Sequence, residues 1–212
     1  MSGKKIVIID YGMGNIQSVA NALSFLGYRA ILSRDHAVLD QADGYILPGV
    51  GAFGGAMANL QKHDLIAVLE KNVLICKKPL LGICLGMQLL AKSSTEMGFH
   101  KGLGWIDATI EELIVTPTLR VPHVGWNSIE VLQELPLFKA IPSDTHFYFD
   151  HSFHMKCHDT TLQSSVTLYG ELVTASIQKE NIFATQFHPE KSQTAGLKLL
   201  RNFLNFVEDT HA

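Results

Sequence analysis

The segment Pro79-Leu80-Leu81-Gly82-Ile83-Cys84-Leu85-Gly86-Met87-Gln88 constrains the fold of this chain more than any other. A cysteine stands between glycines two before and two after it. An apolar, strand-like run precedes it and a helix-like run (Leu89, Leu90, Ala91) follows. This spacing fits a nucleophile elbow, a strand-to-helix turn so tight that only small residues fit beside the reactive atom. The helix that follows would aim unpaired N–H groups at Sγ and favour the thiolate, the nucleophilic form. Alone, Gly-x-Cys-x-Gly fits a buried structural cysteine equally well, because free cysteine is among the most buried residue types.

A second segment, Gln186-Phe187-His188-Pro189-Glu190-Lys191-Ser192, decides between them. In an extended segment residues two apart share a side, so His188 and Glu190 project together. Pro189 fixes its own φ and biases His188 toward extended geometry. A carboxylate beside an imidazole holds one tautomer and stabilises the imidazolium, the third-group role of triad logic. Distance in sequence is no objection, because triad members meet in space.

The rest of the chain reads as one α/β domain over residues 1–212. Lys5 to Ile9 is a continuous apolar strand of the kind buried in a parallel sheet. Ile16, Val19, Ala20, Leu23 and Leu26 follow at helical spacing until Gly27. Ala30 to Leu32, Gly44 to Leu47 and Leu80 to Ile83 read as strands, with helical stretches at Ala56 to Leu60 and Leu65 to Lys71. This alternation predicts an open, mostly parallel sheet with helices on both faces. From Gly102 onward additional antiparallel strands are expected at Ile106 to Leu113, Asn127 to Val131, Phe147 to Phe153, Leu172 to Ile177 and Ile182 to Gln186. Lys179-Glu180-Asn181 is a hairpin tip, and a helix closes the chain from Ala195 to Val207.

The chain resembles the class I (triad-type) glutamine amidotransferases, and within them the glutaminase subunits of imidazole glycerol phosphate synthase. Beyond the two motifs, the strings that carry the resemblance are Asp10-Tyr11-Gly12-Met13-Gly14-Asn15, Leu47-Pro48-Gly49-Val50-Gly51-Ala52-Phe53, Pro122-His123-Val124-Gly125-Trp126-Asn127 and His151-Ser152. The resemblance implies the matching open α/β fold, a Cys84-His188-Glu190 triad and hydrolysis of L-glutamine without a cofactor. In an elbow the residue after the nucleophile, Leu85, supplies one oxyanion donor; the family places the other on the loop of Val50 and Gly51. Such a glycine-rich loop can flip a peptide, so the oxyanion hole is expected to be incomplete until a partner binds. Gln88, one helical turn past Cys84, matches a residue that recognises the amino-acid end of glutamine. Gly51, Ser152 and Phe153 match backbone contacts to glutamine. Asn15, Trp126 and Lys191 match positions near a partner surface, and Trp126 fits a core position equally well. The implied partner is a (β/α)₈-barrel synthase subunit that receives ammonia in histidine biosynthesis. Asp150 and Phe153 depart from the family pattern.

Three cysteines without a framework pattern, and no apolar run long enough for a signal peptide or a membrane span, predict a cytoplasmic chain with reduced thiols. A net charge of −3 gives no basic bias toward nucleic acid. His146, His151, His154, Cys157 and His158 crowd together, yet their spacing fits no common zinc module, and alternation sets His151 and His154 on opposite faces of one strand. No metal is expected. Alternatives are the same glutaminase serving a sugar-amidating enzyme of surface polysaccharide synthesis, a stand-alone cysteine hydrolase, and a docking subunit with an inactive site.

Overall fold

The computed structural model describes residues 4–114 and 119–210, so the domain read over 1–212 reaches past the described residues at both ends and across 115–118. The first half alternates strand and helix: β1 (Ile6–Ile9), α1 (Ile16–Phe25), β2 (Ile31–Ser33), α2 (His36–Asp40), β3 (Gly44–Gly49), α3 (Phe53–Lys62), α4 (Leu65–Leu69), β4 (Leu80–Cys84) and α5 (Leu85–Gln88). Strands then dominate: β5 (Ala91–Ser94), β6 (His100–Lys101), β7 (Ile106–Glu112), β8 (His123–Ser128), β9 (Glu130–Val131), β10 (His146–His151), β11 (Phe153–Cys157), β12 (Gln163–Tyr169), β13 (Glu171–Lys179) and β14 (Ile182–Thr185). Helix α6 (Gln193–Asp209) follows.

The main sheet has eight strands in the order β2-β1-β3-β4-β14-β13-β12-β9. The first five are parallel. β13, β12 and β9 extend the sheet by antiparallel pairing. Alternation along β1 divides the core. Val7 and Ile9 pack with Leu39 of α2, Phe53 and Leu60 of α3 and Leu69 of α4. Ile6 and Ile8 pack with Val19 and Leu23 of α1 and with Leu200 and Phe203 of α6. Successive side chains point to opposite faces, so a strand apolar at every position needs helices on both sides. Each such side chain contributes about 1.5–3 kcal/mol through burial, more than the roughly 1 kcal/mol of a helix cap such as Asn15 on α1. Burial therefore decides the architecture.

Several expected elements differ in detail. Leu89 to Ala91 is not helical: α5 ends at Gln88, and Ala91 opens β5, which pairs with β7. The helix of Leu65 to Lys71 stops at Leu69 and widens into a π-helical turn over Glu70–Ile75. The strand expected at Asn127 to Val131 begins earlier, at His123, and breaks between β8 and β9. Phe147 to Phe153 is two strands, with β10 pairing with β8, β11 pairing with β7, and Ser152 between them. His151 and His154 thus belong to different strands and not to opposite faces of one.

Candidate active site

Three loops meet at the carboxyl ends of the parallel strands, where open α/β sheets place their ligands. One follows β1, one follows β3, and the third is the turn after β4. Register pairs Gly49 directly with Cys84, which sets the glycine loop beside the thiol. A Cβ built on Gly14 would lie 3.4 Å from Gly49 Cα, so the first loop packs on the second. The elbow explains its own glycines. A Cβ on Gly86 would collide with the Leu47 carbonyl, and one on Gly82 would meet the Gly86 carbonyl at 2.9 Å. Cys84 itself has φ 53° and ψ −110°. Such geometry costs a non-glycine residue on the order of 1–3 kcal/mol and is characteristic of functional positions. With α5 only four residues long, the donors near Sγ are those of a single turn.

His188 follows β14, the strand paired with β4. Its backbone N–H donates to the Tyr148 carbonyl at 2.9 Å, and its carbonyl accepts from Ser192 Oγ at 2.6 Å. These two bonds fix where the ring stands. Nδ1 donates to Glu190 Oε1 at 2.8 Å, and both side chains are 2% exposed. The contact comes from a short 3₁₀ turn over Pro189–Lys191, and not from the extended segment that the sequence suggests. In the neutral ring the Glu190 bond holds the proton on Nδ1, so Nε2 is the nitrogen that takes the second proton. Burial pulls the imidazole pKa down, but in the charged ring hydrogen bonding to Cys84 and Glu190 and negative charge on the Cys84 sulfur and the Glu190 carboxylate outweigh it and raise it to about 10. Sγ also lies 3.7 Å from Gln186 Nε2 and 3.8 Å from the Asp150 carbonyl.

Cys84 opens onto a cavity of about 270 Å³, just under the ~300–1,000 Å³ usual for small-molecule pockets. Val50, Gly51, Leu85 and Gln88 line it on the elbow side, and Ser152 and Phe153 line it on the other. The fold thus gathers these six expected residues around the thiol. A larger cavity of about 820 Å³ lies against residues 131–143, a segment with neither thiol nor imidazole. Gln88 donates both amide hydrogens inward, to the Phe153 carbonyl at 2.8 Å and to Gln186 Oε1 at 3.1 Å. Sequence reasoning missed Glu96 and Gln186. Glu96 lines the cavity and accepts the Phe53 N–H through Oε2 at 2.6 Å. It lies in an unremarkable stretch after β5, with no local signal; Gln186 stood in view beside His188 but had no assigned role.

The family description "Glutamine amidotransferase class-I" matches residues 7–206. The chain belongs to the class-I glutamine amidotransferase family. It is 48% identical over 205 residues to imidazole glycerol phosphate synthase subunit HisH 2 of Vibrio vulnificus (strain YJ016), covering 96% of this chain and 95% of that protein. It is 46% identical over 199 residues to subunit HisH 1 of Campylobacter jejuni (strain RM1221), covering 94% and 98%. Among solved structures, PurLQS from Thermotoga maritima is similar in fold, with a TM-score of 0.76 at 17% identity over 97% of this chain and 99% of that one.

In this amidotransferase the expected partner-side residues fall on one rim. Trp126 is 47% exposed, which rules out the core reading, and it packs edge-on to Tyr148 at 6.1 Å. Lys191 Nζ stands 5.4 Å from the same ring and 3.6 Å from Asp150 Oδ2. Asn15 caps α1, the helix that packs on the Pro189–Lys191 turn. Among the described residues no helix is long and apolar enough to cross a membrane.

Proposed function

We propose that this chain is the glutaminase subunit of an imidazole glycerol phosphate synthase, a single amidotransferase domain that acts in the cytoplasm beside a (β/α)₈-barrel synthase subunit. The observation that carries the chemistry is the buried His188–Glu190 pair just past the strand beside the Cys84 elbow, with His188 Nδ1 bonded to Glu190 and Nε2 bonded to nothing among the described residues. In the proposed reaction Nε2 of His188 takes the thiol proton, and Sγ attacks the side-chain amide carbon of L-glutamine. The oxyanion would be met by the Leu85 N–H and by a donor from Val50 or Gly51, each such donor typically contributing about 10²–10³ in turnover. His188 then returns the proton to the leaving nitrogen, ammonia departs, and water hydrolyses the γ-glutamyl thioester to glutamate. Gln88, with Glu96, would receive the α-ammonium, and the Gly51, Ser152 and Phe153 backbone would hold the rest of the substrate. The rim of Asn15, Trp126 and Lys191 is the proposed docking side. Because free ammonia becomes ammonium at neutral pH, it must pass to the acceptor through a protected path.

The test reconstitutes the chain with the barrel synthase subunit of its own organism. Glutamine should support formation of imidazole glycerol phosphate. Cys84→Ala should abolish that activity while ammonia-dependent synthesis continues. Partner and acceptor nucleotide should raise glutamine turnover more than glutamine affinity, because a completed oxyanion hole helps the transition state more than the ground state. Retained glutaminase activity in Cys84→Ala would overturn the assignment.

A further inference from the structure

The Phe153 carbonyl, part of the proposed glutamine-binding backbone, is held from two sides: His151 Nδ1 donates to it at 2.9 Å and Gln88 Nε2 at 2.8 Å. A carbonyl can only accept, so the His151 proton is on Nδ1 and Nε2 carries a lone pair. His123 Nδ1 lies 3.0 Å from that lone pair and donates to it. Nε2 of His123 is then an acceptor, and Asn127 Nδ2 stands 3.4 Å away. Two more bonds fix the Asn127 amide in this sense: Nδ2 donates to the Leu168 carbonyl at 3.1 Å, and Oδ1 accepts from the Ser128 N–H at 2.9 Å. Every bond from Asn127 through His123 and His151 to Phe153 runs in one direction, and each ring has one tautomer.

We propose that His123 and Asn127 are positioning residues for glutamine binding, acting through His151 to pin the Phe153 carbonyl and, through that carbonyl, the Gln88 amide. The proposal rests on the glutaminase reading and extends it to residues that do not touch the thiol. With both amide hydrogens of Gln88 engaged, nothing among the described residues bonds its Oε1, which is left as an acceptor in the cavity wall. The His123 ring is stacked between Phe149 and Tyr169, with centroids at 4.7 and 3.8 Å, so it cannot turn over. Burial keeps both rings neutral, lowering the His123 pKa to about 4 and that of His151 to about 3. A protonated His151 would set N–H against N–H across 3.0 Å and break the relay. The Pro-His-x-Gly-Trp-Asn string therefore has two sides. Val124 and Trp126 are exposed at 55% and 47%, while His123 is buried at 3% and faces the substrate wall.

The test compares glutamine kinetics of the partnered enzyme in three forms. His123→Phe keeps an aromatic ring in the stack but removes the donor; it should raise KM about tenfold and leave kcat within about threefold, because the relay reaches the binding backbone and not the Cys84–His188 pair. His123→Asn places an amide N–H near the old Nδ1 position and should restore KM to within about threefold of wild type. An unchanged KM in His123→Phe, or an equal fall of kcat/KM in both variants, overturns the proposal. An inactive wild-type enzyme would overturn the glutaminase reading and the proposal with it. Nitrogen-15 spectra of the wild-type rings give a readout that survives any folding failure of the variants. At pH 7 both His123 and His151 should be neutral with the proton on Nδ1; a charged ring or an Nε2 proton on either overturns the relay.

Discussion

His188 and His151 are almost equally buried, at 2% and 5% exposure, and both belong to the surroundings of Cys84, yet they are driven in opposite directions. Burial lowers the pKa of each. His188 has a carboxylate on one side and the Cys84 sulfur on the other, and in the charged ring hydrogen bonds to them and their negative charge carry it up to about 10. His151 has a second histidine that adds to the effect of burial and a carbonyl that only partly offsets it, and it falls to about 3. Depth is the same and the partners differ. One ring is held ready to exchange a proton with the nucleophile, and the other is kept neutral so that its hydrogen bonds stay one-directional. The site assigns roles to its histidines by the charge of their neighbours.

The largest effects should follow from removing the proton-exchanging side. Cys84→Ala and His188→Phe should each lower glutamine turnover by at least about 10³-fold, measured by glutamate release with saturating partner. The same measurement on His123→Phe should leave turnover nearly intact. A comparable loss in both sets of variants would erase the distinction between the two regions.

Glu190→Gln sharpens the comparison because it gives His188 a neutral partner like that of His151. Turnover should fall by about 10²–10⁴-fold, less than for Cys84→Ala, since the carboxylate orients and stabilises the ring but takes no proton. The pKa of His188, followed by its ring proton shifts, should drop below its wild-type value. An undiminished pKa would mean that Glu190 does not charge the ring.

A smaller effect is expected in stability against pH, with opposite signs for the two regions. His123 and His151 are lowered from 6.5, so the unfolded chain binds the extra protons first. The stability they contribute is complete above pH 6.5 and is lost as pH falls toward 4 and 3, at up to about 1.4 kcal/mol per pH unit for each ring. His188 is raised from 6.5, so its contribution is complete below pH 6.5 and fades as pH rises toward 10. Urea unfolding across this range should show wild type losing stability at both ends. His123→Phe should flatten the acid limb and leave the alkaline limb alone. An unaltered acid limb would remove the neutral-ring account.

The smallest effect belongs to the rim. Lys191 and Asp150 are 32% and 44% exposed, so breaking their pair with Lys191→Met should change stability by less than about 1 kcal/mol in the same unfolding experiment. A larger loss would mark the pair as part of the core of the site and not of its surface.

Much of this was legible in the chain. The parallel strands announced themselves because they are buried on both faces and read as unbroken apolar runs, as in Ile6–Ile9 and Leu80–Cys84. The elbow was legible because its glycines are dictated by backbone contacts, at Leu47 for Gly86 and at Gly86 for Gly82. The strands of the second half were harder. β12 carries Ser164, Ser165 and Thr167 buried in the sheet, so its sequence gives no apolar pattern. β10 and β11 look continuous because the break at Ser152 has neither glycine nor proline to mark it. His123 was visible only as part of a string tied to a partner surface. Its inward role depends on Phe149 and His151, which the pairing of β8 with β10 brings to it, and on Tyr169 at the end of β12, none of which any spacing foretells.

The most direct measurement of the central claim is covalent. The chain would be treated with an electrophilic analogue of glutamine carrying a diazoketone at the side-chain carbonyl, and the adduct located by peptide mass spectrometry. The account predicts one adduct, on Cys84, suppressed by excess glutamine and lost in His188→Phe. Cys76 is exposed but lies outside the site, and burial pushes the Cys157 thiol up to about 11, so both should remain unmodified. Labelling of Cys76 ahead of Cys84, with glutamine giving no protection, would contradict the account.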